Sequence, residues 1–259
     1  EAEKKRELYL KQLDHGNKKY FAETFKKWLY EVVKYRVKPS SFDKYEGIFR
    51  NYFEKCPFYL TPIGNIKPVD VQSYYNSIFI SGKSSNAIKN TNKLLKQFFN
   101  YCVDNDYITK NPVSGKKVFI PIGDNNALRK DIEIFTDNEI RKMIFQDEES
   151  FIKYAALISY ATGMRRGEIL GLKESDIDYK NKVININRTV VTAYMVDSKG
   201  NRSKKTYISI PKTFNSIRTI PLPIGLINTL ESAIALRKTM NSKEEYKDMI
   251  FISKQGNLI

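Results

Sequence analysis

Apolar residues recur at helical spacing through the first half of the chain and change to alternation within the second half. From Tyr20 to Arg36, the positions Phe21, Phe25, Trp28, Leu29, Val32 and Val33 form one stripe, which predicts an amphipathic helix. Pro39-Ser40-Ser41 interrupts the pattern and supplies caps for a second helix carrying Tyr45, Ile48, Phe49, Tyr52 and Phe53. Pro57, Pro62 and Gly64 mark a loop, and the pattern then predicts a helix from about Pro68 to Ile80. Ser81 to Ser85 reads as a turn into a long helix ending near Val103, with Ile88, Leu94, Leu95, Phe98 and Phe99 facing inward. These segments predict a compact helical unit over residues 18–112. The charged stretch 1–17 before it, with only Leu8, Leu10 and Leu13 as a partial stripe, reads as a linker helix.

Residues 113–130 are polar and basic with few periodic apolar positions, so they are expected to be an interdomain linker. A second domain, residues 131–259, opens with Phe135-Thr136-Asp137-Asn138-Glu139-Ile140, where Thr136 is a helix cap and Glu139 stands at the capping-box position. An apolar helical run, Tyr154 to Ala161, stops at Gly163, and another begins at Ile169. Lys182 to Asn187 then alternates as a strand does, and Thr189 to Met195, Thr206 to Ile210 and Ile217 to Leu222 predict three more. Asp197 to Asn201 is the turn of a hairpin, and helical spacing resumes from Ile227 to Met240. The expected fold is mainly α, with a small antiparallel β-sheet in the second domain.

Charge narrows the partner. The 259 residues carry 44 Lys and Arg against 29 acids, a net +15, which points to a polyanion, nucleic acid first and an anionic membrane second. No apolar stretch approaches the roughly 20 residues needed to span a bilayer, and the start does not resemble a signal peptide, so no membrane association is expected. Cys56 and Cys102 fit no metal-ligand spacing and suggest a reducing cytoplasm, His15 is a lone histidine, and no Gly-rich phosphate loop occurs. Neither a metal nor a cofactor is expected. Between Asp70 and Asp104 there is no acid, while Lys89, Lys93 and Lys96 recur on one helix face, with Lys83, Ser84 and Ser85 at its start. That face suits a DNA phosphate backbone better than mere solvation. From Ser198 to Leu230 there is again no acid, and Lys199, Arg202, Lys204, Lys205, Lys212 and Arg218 give a basic hairpin edge that can lie along a duplex backbone, so Lys204, Lys205, Ser216 and Arg218 are expected on DNA.

The organising stretch is Ala161-Thr162-Gly163-Met164-Arg165-Arg166-Gly167-Glu168-Ile169-Leu170-Gly171-Leu172. Gly163 can take backbone angles closed to other residues, so one helix can end there and another start in a new direction. Arg165 is thereby fixed at a junction with apolar runs on both sides, Arg166 beside it is expected on DNA, and Glu168 is within reach. A guanidinium held this way suits a bidentate grip on phosphate; the alternative is a structural corner whose arginine only pairs with Glu168.

A basic helical bundle, a linker, a Thr-Gly-Met-Arg-Arg-Gly-Glu corner and a small sheet, in this order, resemble the tyrosine recombinase (phage integrase) family. Ala161 to Leu172 resembles the segment bearing the family's first catalytic arginine, at Arg165. Pro211-Lys212-Thr213-Phe214-Asn215-Ser216-Ile217-Arg218-Thr219-Ile220-Pro221-Leu222 resembles the hairpin bearing its catalytic lysine, at Lys212. Residues 18–112 are similar to the core-binding domain, and the closest likeness is to integrases of conjugative transposons and temperate phages of Gram-positive bacteria. The resemblance implies a site-specific recombinase that breaks and rejoins double-stranded DNA at core recombination sites through a 3′-phosphotyrosyl link, as a tetramer, without metal or cofactor, in the bacterial cytoplasm. Arg165 would hold the non-bridging phosphate oxygens, Lys212 would protonate the departing 5′ oxygen, and Glu168 would support Arg165.

No His-x-x-Arg motif occurs in these 259 residues, and because none of Tyr179, Tyr194, Tyr207 and Tyr246 lies in the family's expected context, the nucleophilic tyrosine is expected beyond Ile259. The chain begins at Glu1 and reaches Ile259 through a turn-like Lys254-Gln255-Gly256-Asn257, so it is expected to be part of a longer protein, able to bind DNA and unable to cut it alone. The alternative is a naturally truncated, non-catalytic DNA-binding or architectural factor. An unrelated RNA-binding helical protein leaves the Arg165 and Lys212 motifs unexplained, and a type IB topoisomerase fits the separate bundle less well.

Overall fold

The computed structural model describes residues 18–122, 134–144, 150–210 and 216–259, with the backbone alone at 143 and 144. The chain divides into two compact units, the first built mainly from residues up to Asp131 and the second mainly from Ile132 onward; Val196–Asn201 group with the first.

The first unit is helical. α1 (Phe21–Lys27) runs without a break through Trp28–Val33 into α2 (Lys34–Arg36). The sequence predicts one α-helix here, but Trp28–Val33 adopts π geometry, and the Lys34 N–H reaches back to the Leu29 carbonyl. Val33 is buried and Val32 is half-buried. α3 (Pro39–Tyr52) and α4 (Pro68–Ile80) both have proline in the first turn, where no N–H is needed, so Pro39, Ser40 and Ser41, expected to cap α3, lie within it and the N-cap position falls on Lys38; the Asp70 carboxylate accepts the Lys67 N–H at 2.8 Å. α5 (Ser85–Asp104) is capped by the Ser84 hydroxyl, which accepts the Ala87 N–H at 3.2 Å. The helices enclose a core of aromatic rings: Phe25 stacks on Phe49 at 5.3 Å between centroids, and Phe21 meets Phe58 and Phe98 edge-on at 5.2 and 5.3 Å. Within the stretch read as a linker, Val113 and Val118 are buried, and the Gln72 side chain bonds both the N–H and the carbonyl of Phe119.

The second unit starts with α6 (Asp137–Ile144), where Thr136 and Glu139 exchange hydrogen bonds as a capping box. α7 (Phe151–Thr162) and the short α8 (Arg166–Leu170) form the corner. One antiparallel sheet contains β1 (Ile177–Asp178), β2 (Val183–Ile186) and β5 (Arg218–Pro221), in the order β1-β2-β5; β3 (Thr189–Val196) and β4 (Arg202–Ser209) make a separate two-stranded sheet. A single sheet was expected from sequence, and two are found among the described residues. The division falls at Asn187 and Arg188, whose side chains both bond Asp176. β1, only two residues long, gave no alternation to read. α9 (Ile227–Lys238) lays Leu230, Ala233 and Ile234 on an aliphatic core shared with Tyr154, Ile158, Ile184, Ile186 and Phe251.

Candidate catalytic corner and nucleic-acid interface

The end of α7 is set by local chemistry. The Thr162 hydroxyl donates to the Ile158 carbonyl and accepts the Met164 N–H, while Gly163, at φ +64°, closes the helix with its N–H on the Ser159 carbonyl. Met164 is buried and anchors the turn, so Arg165 enters α8 from a fixed point in extended conformation. Gly167 is the residue that lets β3 approach: a Cβ there would lie 2.4 Å from Thr189 Oγ1 and 2.7 Å from the Val190 carbonyl oxygen.

Glu168 is the hub. Its side chain is only 6% exposed, yet it carries a full carboxylate. Oε2 accepts the Arg165 backbone N–H at 3.0 Å and Arg218 Nη2 at 2.8 Å; Oε1 accepts Arg165 Nη1 at 3.1 Å and Arg218 Nη1 at 3.0 Å. The Arg218 hydrogen bonds hold the Glu168 carboxyl down to about 2, against the opposing effect of burial, and the Arg165 backbone and side chain add to them. The same contact raises Arg218 above its ordinary value. The Arg165 side chain remains 77% exposed. The arrangement therefore presents to solvent a guanidinium tethered from behind by a buried anion, a geometry able to take the oxygens of a phosphate.

A second capping acid repeats the device. Asp176 accepts the Lys173 N–H at 2.8 Å and, buried, pairs with Arg188, which also reaches the Gly171 carbonyl at 3.3 Å. Sequence reasoning missed Asp176 and Arg188. Their only trace was the acid three residues after Lys173, the spacing of a capping box, with nothing to indicate an arginine twelve residues on. Arg237 was missed as well; it is buried and donates to the carbonyls of Met249 and Lys247 and to Ser242 Oγ.

Of the residues expected on DNA, Lys83, Lys89, Lys93 and Lys96 are exposed along α5 and its start, and Arg166 is exposed beside Arg165. Ser84 serves the cap, and the Ser85 hydroxyl donates to the Pro121 carbonyl at 2.7 Å. Lys204 and Lys205 are both exposed on β4, but as neighbours on a strand they project to opposite faces. Ser216 is half-buried, and Arg218 turns to Glu168. Lys212 lies outside the described residues. Among the described residues no group of three or more His, Cys, Asp or Glu is gathered, and no helix is long and apolar enough to cross a membrane.

Comparison with known proteins places these features. Residues 133–259 match the model of the phage integrase family, and residues 20–79 match that of the phage integrase N-terminal SAM-like domain. A tyrosine recombinase XerC-like protein of Caldanaerobacter subterraneus subsp. tengcongensis is 42% identical, over 100% of this chain and 69% of its own length. The chain belongs to the tyrosine recombinase family. The transposase from transposon Tn916 of Enterococcus faecalis is 24% identical, over 75% of this chain and 46% of its own length, so the matched part is less than half of that transposase. In fold, the chain is similar to the Tn1549 transposon integrase solved in complex with a circular intermediate DNA, with a TM-score of 0.68 at 22% identity over 91% of this chain and 73% of the other. It is also similar to a lambda integrase dimer bound to a COC′ core site, with a TM-score of 0.58 at 15% identity over 94% of this chain and 60% of the other.

Proposed function

We propose that the chain is part of a site-specific DNA recombinase that integrates and excises a mobile element, with residues 18–112 as its core-binding domain and 131–259 as a partial catalytic domain. The observation that carries this reading is Arg165, exposed to solvent yet bound through Nη1 to the buried Glu168, within a chain of the tyrosine recombinase family. The substrate is double-stranded DNA at core sites, worked on by a tetramer in the bacterial cytoplasm.

In the proposed reaction a tyrosine hydroxyl gives up its proton to water and attacks the scissile phosphorus, the bond to the 5′ oxygen breaks, and the tyrosine becomes linked to the 3′ phosphate. Arg165 binds the non-bridging oxygens as negative charge grows on them, and a preorganised donor of this kind is worth about 10²–10³ in rate. Lys212 gives its proton to the leaving 5′ oxygen, and rejoining reverses each transfer. Neither metal nor cofactor enters this scheme. The 259 residues hold Arg165 and Lys212 without a His-x-x-Arg motif, so cutting is assigned to the whole protein and DNA binding alone to this piece. Lys83, Lys89, Lys93, Lys96, Arg166, Lys204 and Lys205 supply phosphate contacts.

The test is covalent adduct formation by the full-length protein on a nicked duplex carrying the end of its element. Wild type is expected to form adducts, Arg165→Ala and Lys212→Ala are expected to lose them, and the 259-residue piece is expected to bind without cutting. No adduct from the wild type, with binding intact, would reject the recombinase in favour of a non-catalytic DNA-binding factor. Binding should also weaken steeply with salt, each neutralised phosphate adding about 0.9 to the logarithmic slope; a flat salt response would remove the lysine face of α5 from the interface.

A further inference from the structure

Arg218 was expected on DNA because it belongs to a basic, acid-free stretch. Strand geometry places it elsewhere. In the antiparallel register of β2 with β5, Ile184 faces Ile220, Asn185 faces Thr219 and Ile186 faces Arg218. Directly opposed residues share a face of the sheet, and Ile184 and Ile186 are buried, so Arg218 starts from the core-facing side. Its neighbour Thr219 is on the other face, bonded to Asn185 and exposed. From the end of the sheet the Arg218 fork reaches both oxygens of Glu168, fifty positions earlier in the chain. Glu168 in turn holds Arg165 by its backbone N–H and by Nη1.

We propose that Arg218 is a positioning residue, which fixes Arg165 through Glu168 and ties the α7–α8 corner to the strand that follows the Lys212 segment. The inference rests on the recombinase reading above. Two carboxylate oxygens are engaged by two arginines, and without Arg218 the Glu168 carboxylate is free to rotate onto the more exposed Arg165 and draw its guanidinium out of line. Misplacement of a reacting group by about 1 Å can lower a rate by about a hundredfold. A lysine at 218 keeps the charge but not the planar fork, so it anchors one oxygen rather than two.

The experiment compares full-length wild type with Arg218→Ala, Arg218→Lys, Glu168→Gln and the double variant Arg218→Ala/Glu168→Gln, on the nicked element-end duplex. Two quantities are read: the single-turnover rate of adduct formation at saturating DNA, and DNA affinity across a salt series. The expected result is an adduct rate lowered about a hundredfold by Arg218→Ala, with unchanged affinity and salt slope. Arg218→Lys should recover part of the rate, and the double variant should be no slower than the worse single one, because both act through one contact. A direct phosphate contact predicts the reverse: weaker binding, a salt slope smaller by about one charge, and a normal rate at saturation. That outcome overturns the proposal, as would multiplicative losses in the double variant. If Arg218→Ala does not fold, Arg218→Lys carries the test, and a wild-type rate from it rejects the role. Absence of adducts from the wild type itself rejects the recombinase reading and this role with it; adducts from wild type and Arg218→Ala at equal rates reject this role alone.

Discussion

The two units are held together by different means. The first packs phenylalanine on phenylalanine: Phe21, Phe25, Phe49, Phe53, Phe58, Phe98 and Phe99 are all buried in one cluster with Trp28. The second has an aliphatic core, and its corners are fixed by charged groups placed under them, Glu168 with Arg165 and Arg218, and Asp176 with Arg188. Ring packing is non-directional at the level of the fold and tolerates adjustment, whereas a carboxylate held by four donors permits one arrangement. The unit proposed to carry the chemistry is thus the one whose geometry is fixed by hydrogen bonds. The unit proposed to grip DNA needs only a firm scaffold for exposed lysines.

This contrast can be broken experimentally. Phe25→Ala should have the largest effect, lowering stability by about 3–5 kcal/mol through the cavity it leaves. Trp28, the single tryptophan and buried in that cluster, makes its fluorescence a specific report of the first unit during urea unfolding. Asp176→Ala should cost about 3 kcal/mol, because Arg188 would keep a largely buried charge without its partner. Faster amide exchange at Ile184 and Ile186 should report it, and unchanged exchange would mean that the ion pair does not hold the sheet. Gly167→Ala should follow at about 1–3 kcal/mol, since the added methyl must push the β3 backbone aside; a melting temperature equal to wild type would show that β3 gives way freely.

The smallest effect at readily accessible pH is that of acid on the corner. The Glu168 carboxyl is lowered from 4.5 to about 2, so its contribution to stability is complete above about pH 4.5 and is lost as pH falls toward 2. At pH 4 only the onset should be seen, as a loss of stability larger in wild type than in Glu168→Gln, by thermal unfolding followed by circular dichroism. Identical acid responses of the two proteins would show that Glu168 is not the group responsible.

Much of this was legible in the sequence. The stripe of Phe21, Phe25, Trp28 and Leu29, the proline at the start of α4, the Thr136–Glu139 capping box and the break at Gly163 are all local signals, acting over one or two helical turns. The corner, with Arg165 and Glu168 three residues apart, was legible for the same reason. Only the tertiary structure decided which distant side chains would complete it. Basic spacing put Arg218 on DNA, while the register of β5 against β2 turned it onto Glu168. Asp176 met Arg188 only because β1 and β2 pair antiparallel, which brings the end of the hairpin back beside its start. Lys204 and Lys205 read as one basic edge until the strand separated their faces. Periodicity and caps are fixed by neighbours along the chain, so the sequence determined the helices and the corner by itself. A charged partner is fixed by register and strand pairing, which bring together residues many positions apart, and these the fold alone decided.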